Sequence, residues 1–317
     1  MIWNSHGIDS LNCTLASLLE TASMDMGSTK LGLVTAVVPC MAMYFSTWET
    51  YHTHTLYLGY LNGPTEGLLI AIAIMVASGY YSPEIWGRPI TDLFPQLDGM
   101  LGTYSARDLW MPFLAAGLFI GHMPSTVFNV VRVRRRQKLP ILVPLFKEWI
   151  QIMVFAGCSM AWLLSPYSYI LGQGRLMLYC WTMAFVFGRM TTKIILAHLL
   201  RQPFPGWTAL LTPLVIGSVA VNAPYVGLPP VNAHIELWYM RLYLVFAFLV
   251  YMHWALLVIN RITTFLGINC LTIRRDKITA RDKAYMGYEE TMRNASSSPA
   301  AVPSSPATST KSGYKSH

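Results

Sequence analysis

The sequence predicts an all-α protein: a polytopic transmembrane helical bundle of about eight spans, followed by a disordered C-terminal tail. Three observations predict it. Of the 317 residues, 54% are hydrophobic and only 12% are charged, against about 25% charged for soluble domains. Long runs free of Asp, Glu, Lys and Arg recur along the chain. Basic clusters stand at the ends of those runs.

The runs set the elements. Leu31–Trp48 is 18 residues without a charge, Gly67–Pro83 is 17 and Leu109–Val131 is 23. Trp149–Gly174 is 26, Gln202–Ile235 is 34 and Leu242–Asn260 is 19. A helix needs about 20 mainly apolar residues to cross a bilayer. Helices are therefore expected at about 31–48, 66–82, 109–131, 145–165, 176–200, 207–222 and 236–260. An amphipathic helix over about Asp9 to Ser23 precedes them, and its Glu20 is expected inside the bundle. A second amphipathic stretch, Ile262 to Ile273, is expected at the membrane surface. Proline within the spans, as at Pro39, Pro112 and Pro124, is tolerable where neighbouring helices re-satisfy the freed backbone groups.

Charge placement orients the bundle. Arg132, Arg134, Arg135, Arg136 and Lys138 directly follow one run, and Arg274, Arg275, Lys277, Arg281 and Lys283 follow the last. Basic residues at span ends mark the cytoplasmic face and can meet anionic headgroups there. Alternation from Arg132–Lys138 puts Asp9, the 49–65 loop and Arg201 on that face, and 83–108, 165–175 and 222–235 on the other. The net charge of +8 is thus explained by the membrane. No basic stripe interleaved with aromatics points to nucleic acid.

The five cysteines are scattered without C-x2-C spacing and read as small buried apolar residues. The first 15 residues hold no basic n-region, so insertion is expected to rest on the internal spans. Residues 1–283 are expected to form the membrane domain. Residues 284–317 are a Ser/Pro-rich tail too poor in apolar surface to fold. A transporter would carry paired broken helices in two related halves, and no such symmetry is visible.

Several short motifs carry chemistry only as a set. The chain opens with Ser5-His6-Gly7-Ile8-Asp9-Ser10. Further on come Ser46-Thr47-Trp48-Glu49-Thr50-Tyr51-His52-Thr53-His54, Gly63-Pro64-Thr65-Glu66-Gly67, Gly188-Arg189-Met190, Ala197-His198 and Ile262-Thr263-Thr264-Phe265-Leu266. In this order they resemble the choline/ethanolamine phosphotransferase branch of the CDP-alcohol phosphatidyltransferase family, from His6 to about Arg275.

The resemblance implies transfer of phosphocholine or phosphoethanolamine from CDP-choline or CDP-ethanolamine to diacylglycerol. It implies a protein of endoplasmic reticulum or Golgi membranes, using Mg2+ or Mn2+. His6 matches the histidine of the branch, Asp9 the last aspartate of the family motif, and Glu66 an acidic residue of the third span. A carboxylate that holds an imidazole makes a His6–Glu66 pair a candidate base for the lipid hydroxyl. The bland alternatives stay open: Asp9 as a helix N-cap, and Glu66 as an acidic residue favouring a helix start. Trp48 and Tyr51, three apart, are candidates to hold the choline ammonium by cation–π contact or to sit in an interfacial aromatic belt. Arg189 and Lys193, four apart within a span, are candidates to steer phosphates, with snorkelling the rival for Lys193.

The family motif reads D-G-x2-A-R-x8-G-x3-D-x3-D. Here Ser5 stands where the branch has an aspartate, and the D-G-x2-A-R portion has no counterpart. Asp98-Gly99 before Ala106-Arg107 has six intervening residues instead of two and falls on the opposite side. The expectation is an N-terminally truncated site without most metal ligands, inactive as it stands. The alternative is a non-catalytic subunit pairing with a full-length relative. Gly117-x3-Gly121 allows close helix approach, either within the bundle or in a homodimer.

Overall fold

The computed structural model describes residues 2–54, 63–93, 104–142, 144–267, 287, 288 and 290, with the side chains of 2–8, 63–66, 68 and 93 outside that description. Contacts divide it into two units, 1–255 and 256–317. Eight long helices carry the chain: α1 (Ile2–Ser23), α2 (Lys30–Thr53), α3 (Gly63–Tyr81), α4 (Ala106–Arg136), α5 (Ile150–Leu163), α6 (Leu176–Leu199), α7 (Leu211–Asn222) and α8 (Ala233–Leu266). Each matches one of the eight expected helices. Among the described residues the only β pairing is a single bridge between Pro89 and Ser105. The second unit is described by the last turns of α8, from Leu256 on, and by the three isolated residues.

The fold is all-α, and three helices, α2, α4 and α8, are long and apolar enough to cross a membrane. Their outer faces are apolar too. Phe119, Ile120 and Phe128 on α4, and Trp238, Leu242 and Val245 on α8, are all exposed. Apolar residues facing outward along whole helices fit a hydrocarbon surrounding.

Three helices make the inner frame. Thr14 Oγ1 lies 3.3 Å from Cys40 Sγ, and the Thr21 hydroxyl reaches the Gly32 carbonyl, so α1 and α2 run antiparallel. Ser28 Oγ accepts from the N–H of Leu176, while the Tyr51 ring meets His198, so α2 and α6 run parallel. Gly188 lets α1 approach α6: a Cβ there would sit 3.0 Å from Leu11 and 3.3 Å from Tyr251. Gly217 likewise yields its place to the Trp162 ring, 2.2 Å from where a Cβ would be. The core between them includes Tyr44, Phe45, Trp48, Phe155 and Phe187, all essentially inaccessible. Glu20 is buried as expected. Of the cysteines described, Cys13, Cys40, Cys158 and Cys180 are free; Cys270 falls outside the described residues.

Three boundaries differ from the expectation. Helix α1 begins at Ile2 rather than near Asp9. Asp9 is therefore two turns inside the helix, and the N-cap reading fails. Ile262–Leu266 continue α8 without a break, because no glycine or proline interrupts Ala233–Leu266; the rest of the amphipathic stretch to Ile273 lies outside the described residues. Helix α4 widens into a π-turn over Gly117–His122. Pro124 has no N–H to offer the Ile120 carbonyl, and the Met123 N–H bonds instead to the Leu118 carbonyl, five residues back. Such an insertion re-aims side chains. Among the described residues no neighbouring atom lies within 4 Å of a built Cβ at Gly117 or Gly121, so no internal packing on that pair is seen there.

Candidate functional site at one end of the bundle

The antiparallel and parallel pairings collect the first half of α1, the last turns of α2 and the last turns of α6 at one end. Helix α4 and the start of α5 complete it. The side chains there were grouped on one face from charge placement alone, and they do meet. The Tyr51 hydroxyl donates to the Gln202 carbonyl at 2.8 Å, next to Arg201. Arg134 reaches the last turn of α2, with its Nη1 3.2 Å from His52 Nδ1.

His52 is the hub. Its Nε2 lies 2.7 Å from Glu148 Oε2, and the same oxygen accepts from the Trp48 indole N–H at 2.7 Å. The protonation pattern follows from Arg134. A guanidinium only donates, so Nδ1 accepts from Arg134 and Nε2 is left to donate to Glu148. Arg134 is held in turn by donating through Nε to the Pro140 carbonyl at 2.8 Å. Beside the hub, Asn129 donates to Glu49 Oε1 at 2.7 Å. The π-turn aims His122 at α2, where its Nε2 lies 2.9 Å from the Ala42 carbonyl and 3.2 Å from Ser46 Oγ. Trp48, His52, Glu148 and Arg134 are thus tied together, with the Asn129–Glu49 and His122–Ser46 pairs beside them.

His52, Glu148, Arg134 and Asn129 were not singled out from the sequence. The signal was present for His52 alone, which lies within the quoted Ser46–His54 stretch. Glu148 lies 96 residues away from it and Arg134 82, and nothing local links the three.

The expected site residues fall as follows. Asp9 is exposed while its neighbour Ser10 is fully buried. His6 shares the helical face of Asp9, three residues back. Glu66 lies in the first turn of α3, so that part of the expectation holds. The side chains of His6 and Glu66 lie outside the described residues, and so does Asp98-Gly99. Arg107 instead pairs with Asp25 at 2.8 Å, away from this end.

Trp48 and Tyr51 do not frame an empty space. Trp48 is fully buried, neither in an interfacial belt nor open to a headgroup. The His52 ring stands between the pair, 5.4 Å from Trp48 and 5.0 Å from Tyr51. Spacing of three residues gave both rings the same face, and it also gave that face to the imidazole one position on.

Arg189 and Lys193 diverge. The Arg189 guanidinium lies over the Trp254 ring, 4.9 Å from its centroid. Its Nε and Nη1 are buried with no hydrogen-bond partner among the described residues. Lys193 donates to the Trp207 carbonyl at 3.0 Å. Leu11 packs on Gly188, which puts the first turns of α1 next to the Arg189 turn of α6. A half-buried cation with open donors therefore stands beside the helix that carries His6 and Asp9.

Comparison with known proteins gives the same direction as the motifs. Over 277 residues the chain is 28% identical to an uncharacterized CDP-alcohol phosphatidyltransferase class-I family protein of Schizosaccharomyces pombe, covering 84% of this chain and 67% of that one. The chain is similar to the class-I CDP-alcohol phosphatidyltransferases over most of its length. It is also 29% identical over 288 residues to choline/ethanolaminephosphotransferase 1 of Arabidopsis thaliana, covering 85% of this chain and 69% of that one. With choline/ethanolaminephosphotransferase 1 of Saccharomyces cerevisiae the identity is 26% over 291 residues, 86% of this chain and 70% of that one. No protein-family model matches. The similarity runs in the direction its motifs implied, toward proteins named as choline/ethanolaminephosphotransferases.

Proposed function

We propose that this chain serves the transfer of phosphocholine or phosphoethanolamine from a CDP-alcohol to the hydroxyl of diacylglycerol, on the cytoplasmic side of an endoplasmic reticulum or Golgi membrane. The observation that carries the reading is Arg189: a half-buried cation whose Nε and Nη1 are buried without a hydrogen-bond partner among the described residues, next in sequence to Gly188, on which Leu11 of α1 packs. A charge inside an apolar helix is costly and stays where a ligand or a partner uses it. A pyrophosphate offers the acceptor oxygens that those donors lack.

The reaction is an in-line displacement. The lipid hydroxyl oxygen attacks the phosphorus bearing the choline or ethanolamine, the bond to the bridging oxygen breaks, and CMP leaves. In this proposal His6 takes the hydroxyl proton and Glu66 orients and charge-balances the imidazole. Arg189 offsets charge on the bridging and leaving oxygens, and Lys193 faces the same end. Tyr51 and Trp48 bound the site through His52 and do not cage the ammonium directly.

The family's reaction implies Mg2+ or Mn2+. Among the described residues no group of three His, Cys, Asp or Glu side chains stands together to hold a cation. Asp9 supplies one carboxylate, and the neutral hydroxyl of Ser5 is a poor dication ligand. These residues by themselves do not fit a two-cation site. The 317 residues on their own are accordingly proposed to be inactive, and to become active once the family's D-G-x2-A-R segment and Ser5→Asp supply carboxylates.

The test is a CDP-choline and CDP-ethanolamine transfer assay in a host lacking related enzymes. The grafted chain is expected to show Mg2+-dependent transfer, and His6→Ala or Glu66→Ala to lower its rate by about 10²- to 10⁴-fold. Activity in the ungrafted chain would overturn the reading of the metal site, and an inactive, folded graft would overturn the transfer reading. A second reading, a non-catalytic subunit pairing with a full-length relative, draws on Gly117 and Gly121, which face outward with open space above them.

A further inference from the structure

One surface next to this end is unaccounted for by transfer chemistry. Between Met123 and Lys147 the chain has six basic residues and no Asp or Glu. Arg134 is turned inward onto His52. Arg132, Arg135, Arg136, Lys138 and Lys147 remain exposed. The turn that follows α4 is closed by the Leu139 N–H bonding to the Arg134 carbonyl at 3.0 Å, which keeps the basic residues together at the end of a membrane-length helix.

Seven residues after Lys138, at Leu145, begins a groove of about 480 Å3. Leu145, Phe146, Trp149, Ile150, Met153 and Gly157 line it along the outer face of α5. Phe146 is 74% exposed, so the groove opens outward, toward the hydrocarbon. Its lining residue Trp149 adjoins Glu148, and Glu148 is joined through His52 to Arg134. The exposed Lys147 stands between the lining residues Phe146 and Trp149, and the 123–147 segment holds no Asp or Glu.

We propose that this surface is a binding site for an anionic phospholipid, with the headgroup phosphate on the Arg135, Arg136 and Lys138 turn and an acyl chain in the α5 groove. The matching of charge above and apolar surface below selects the occupant. A neutral diacylglycerol would leave the cations unmatched, and a zwitterionic headgroup would neutralise them only in part. Each basic residue near an anionic leaflet favours it by about fivefold. The site is separate from the His6, Asp9 and Arg189 turn. It gives the membrane's anionic lipid content a direct hold on α4 and, through Arg134, on His52.

The test uses the purified 317-residue chain in phosphatidylcholine vesicles containing either dibromo-acyl phosphatidylserine or dibromo-acyl phosphatidylcholine. Bromine quenches tryptophan on contact, and Trp149 lines the groove; subtracting the signal of Trp149→Phe isolates it. Phosphatidylserine is expected to bind about fivefold or more tightly than phosphatidylcholine. That preference should fall to about one in Arg135→Gln/Arg136→Gln/Lys138→Gln. Gly157→Leu is expected to reduce quenching by both lipids, because a built Cβ at Gly157 meets nothing within 4 Å and a longer side chain fills the groove. Equal quenching by the two lipids in the unmodified chain would overturn the proposal without reference to any variant. So would a Gly157→Leu chain whose quenching is intact but whose crosslinked dimer is lost, since the groove would then hold a second copy.

Discussion

Two carboxylates, one buried and one half-buried, divide the labour of this bundle. Glu236, in the first turn of α8, is 3% exposed. It accepts from the Trp162 indole at 2.8 Å, the Ser168 hydroxyl at 2.8 Å and the Tyr169 backbone N–H at 2.8 Å, using both of its oxygens. Glu148, just ahead of α5, takes both of its bonds, from Trp48 and His52, on Oε2. Its Oε1 takes none among the described residues. The first carboxylate is saturated by donors that do not change protonation near neutral pH. The second faces an imidazole whose other nitrogen is held by an arginine. A saturated buried carboxylate is a brace; the second keeps one oxygen free for a further donor. The Ser46–His54 motif lies at the second end, in the last turns of α2.

The largest expected effect breaks the brace. Glu236→Ala leaves one buried and two part-buried donors without their acceptor and is expected to lower stability by about 2–3 kcal/mol, read as thermal unfolding in detergent. A change below the noise would mean that water replaces the carboxylate and that the two ends are alike. Next is His52→Phe, which keeps the ring but removes both hydrogen bonds. A loss of about 2 kcal/mol is expected, and Glu148→Gln in the same background should add little, because the pair acts as a unit. Full additivity in that double-mutant cycle would contradict the coupling seen in the geometry.

A smaller effect separates planar from point charge. Arg189→Lys keeps the charge but loses the flat stack on Trp254, at a cost of about 1 kcal/mol. In a grafted, active chain it should raise KM for the CDP-alcohol more than it lowers kcat; a purely structural role would move only the unfolding curve. The smallest stability effect belongs to Gly117→Leu, expected near zero because the position is open. Loss of dimer crosslinking in that variant would favour the pairing surface, and unchanged crosslinking would remove it.

Much of this was legible in the residues. The charge-free runs marked six of the eight helices, and the basic clusters grouped the end of α2 and Arg201 at one end, as the Tyr51–Gln202 and Arg134–His52 contacts show. Glu20 was read as buried, and is. The start of α1 was missed because residues 2–8 carry no strong N-terminal signal, and with it went the N-cap reading of Asp9. Trp48 was misjudged because spacing of three fixes a shared face without saying what stands between the rings.

The sequence by itself determined the fold class, the number of helices and which ends face together, since run length and charge placement are local properties that a bilayer reads directly. Only the tertiary structure decided that Glu148, 96 residues from His52, would meet it, and that Arg134 would turn inward while Arg135 and Arg136 stay out. The physical reason is rotation: which side of a helix faces a neighbour depends on how the helices pack, on the space left at Gly188 and Gly217, and on the one-residue shift of the π-turn before Pro124. No stretch of sequence carries those rotations alone.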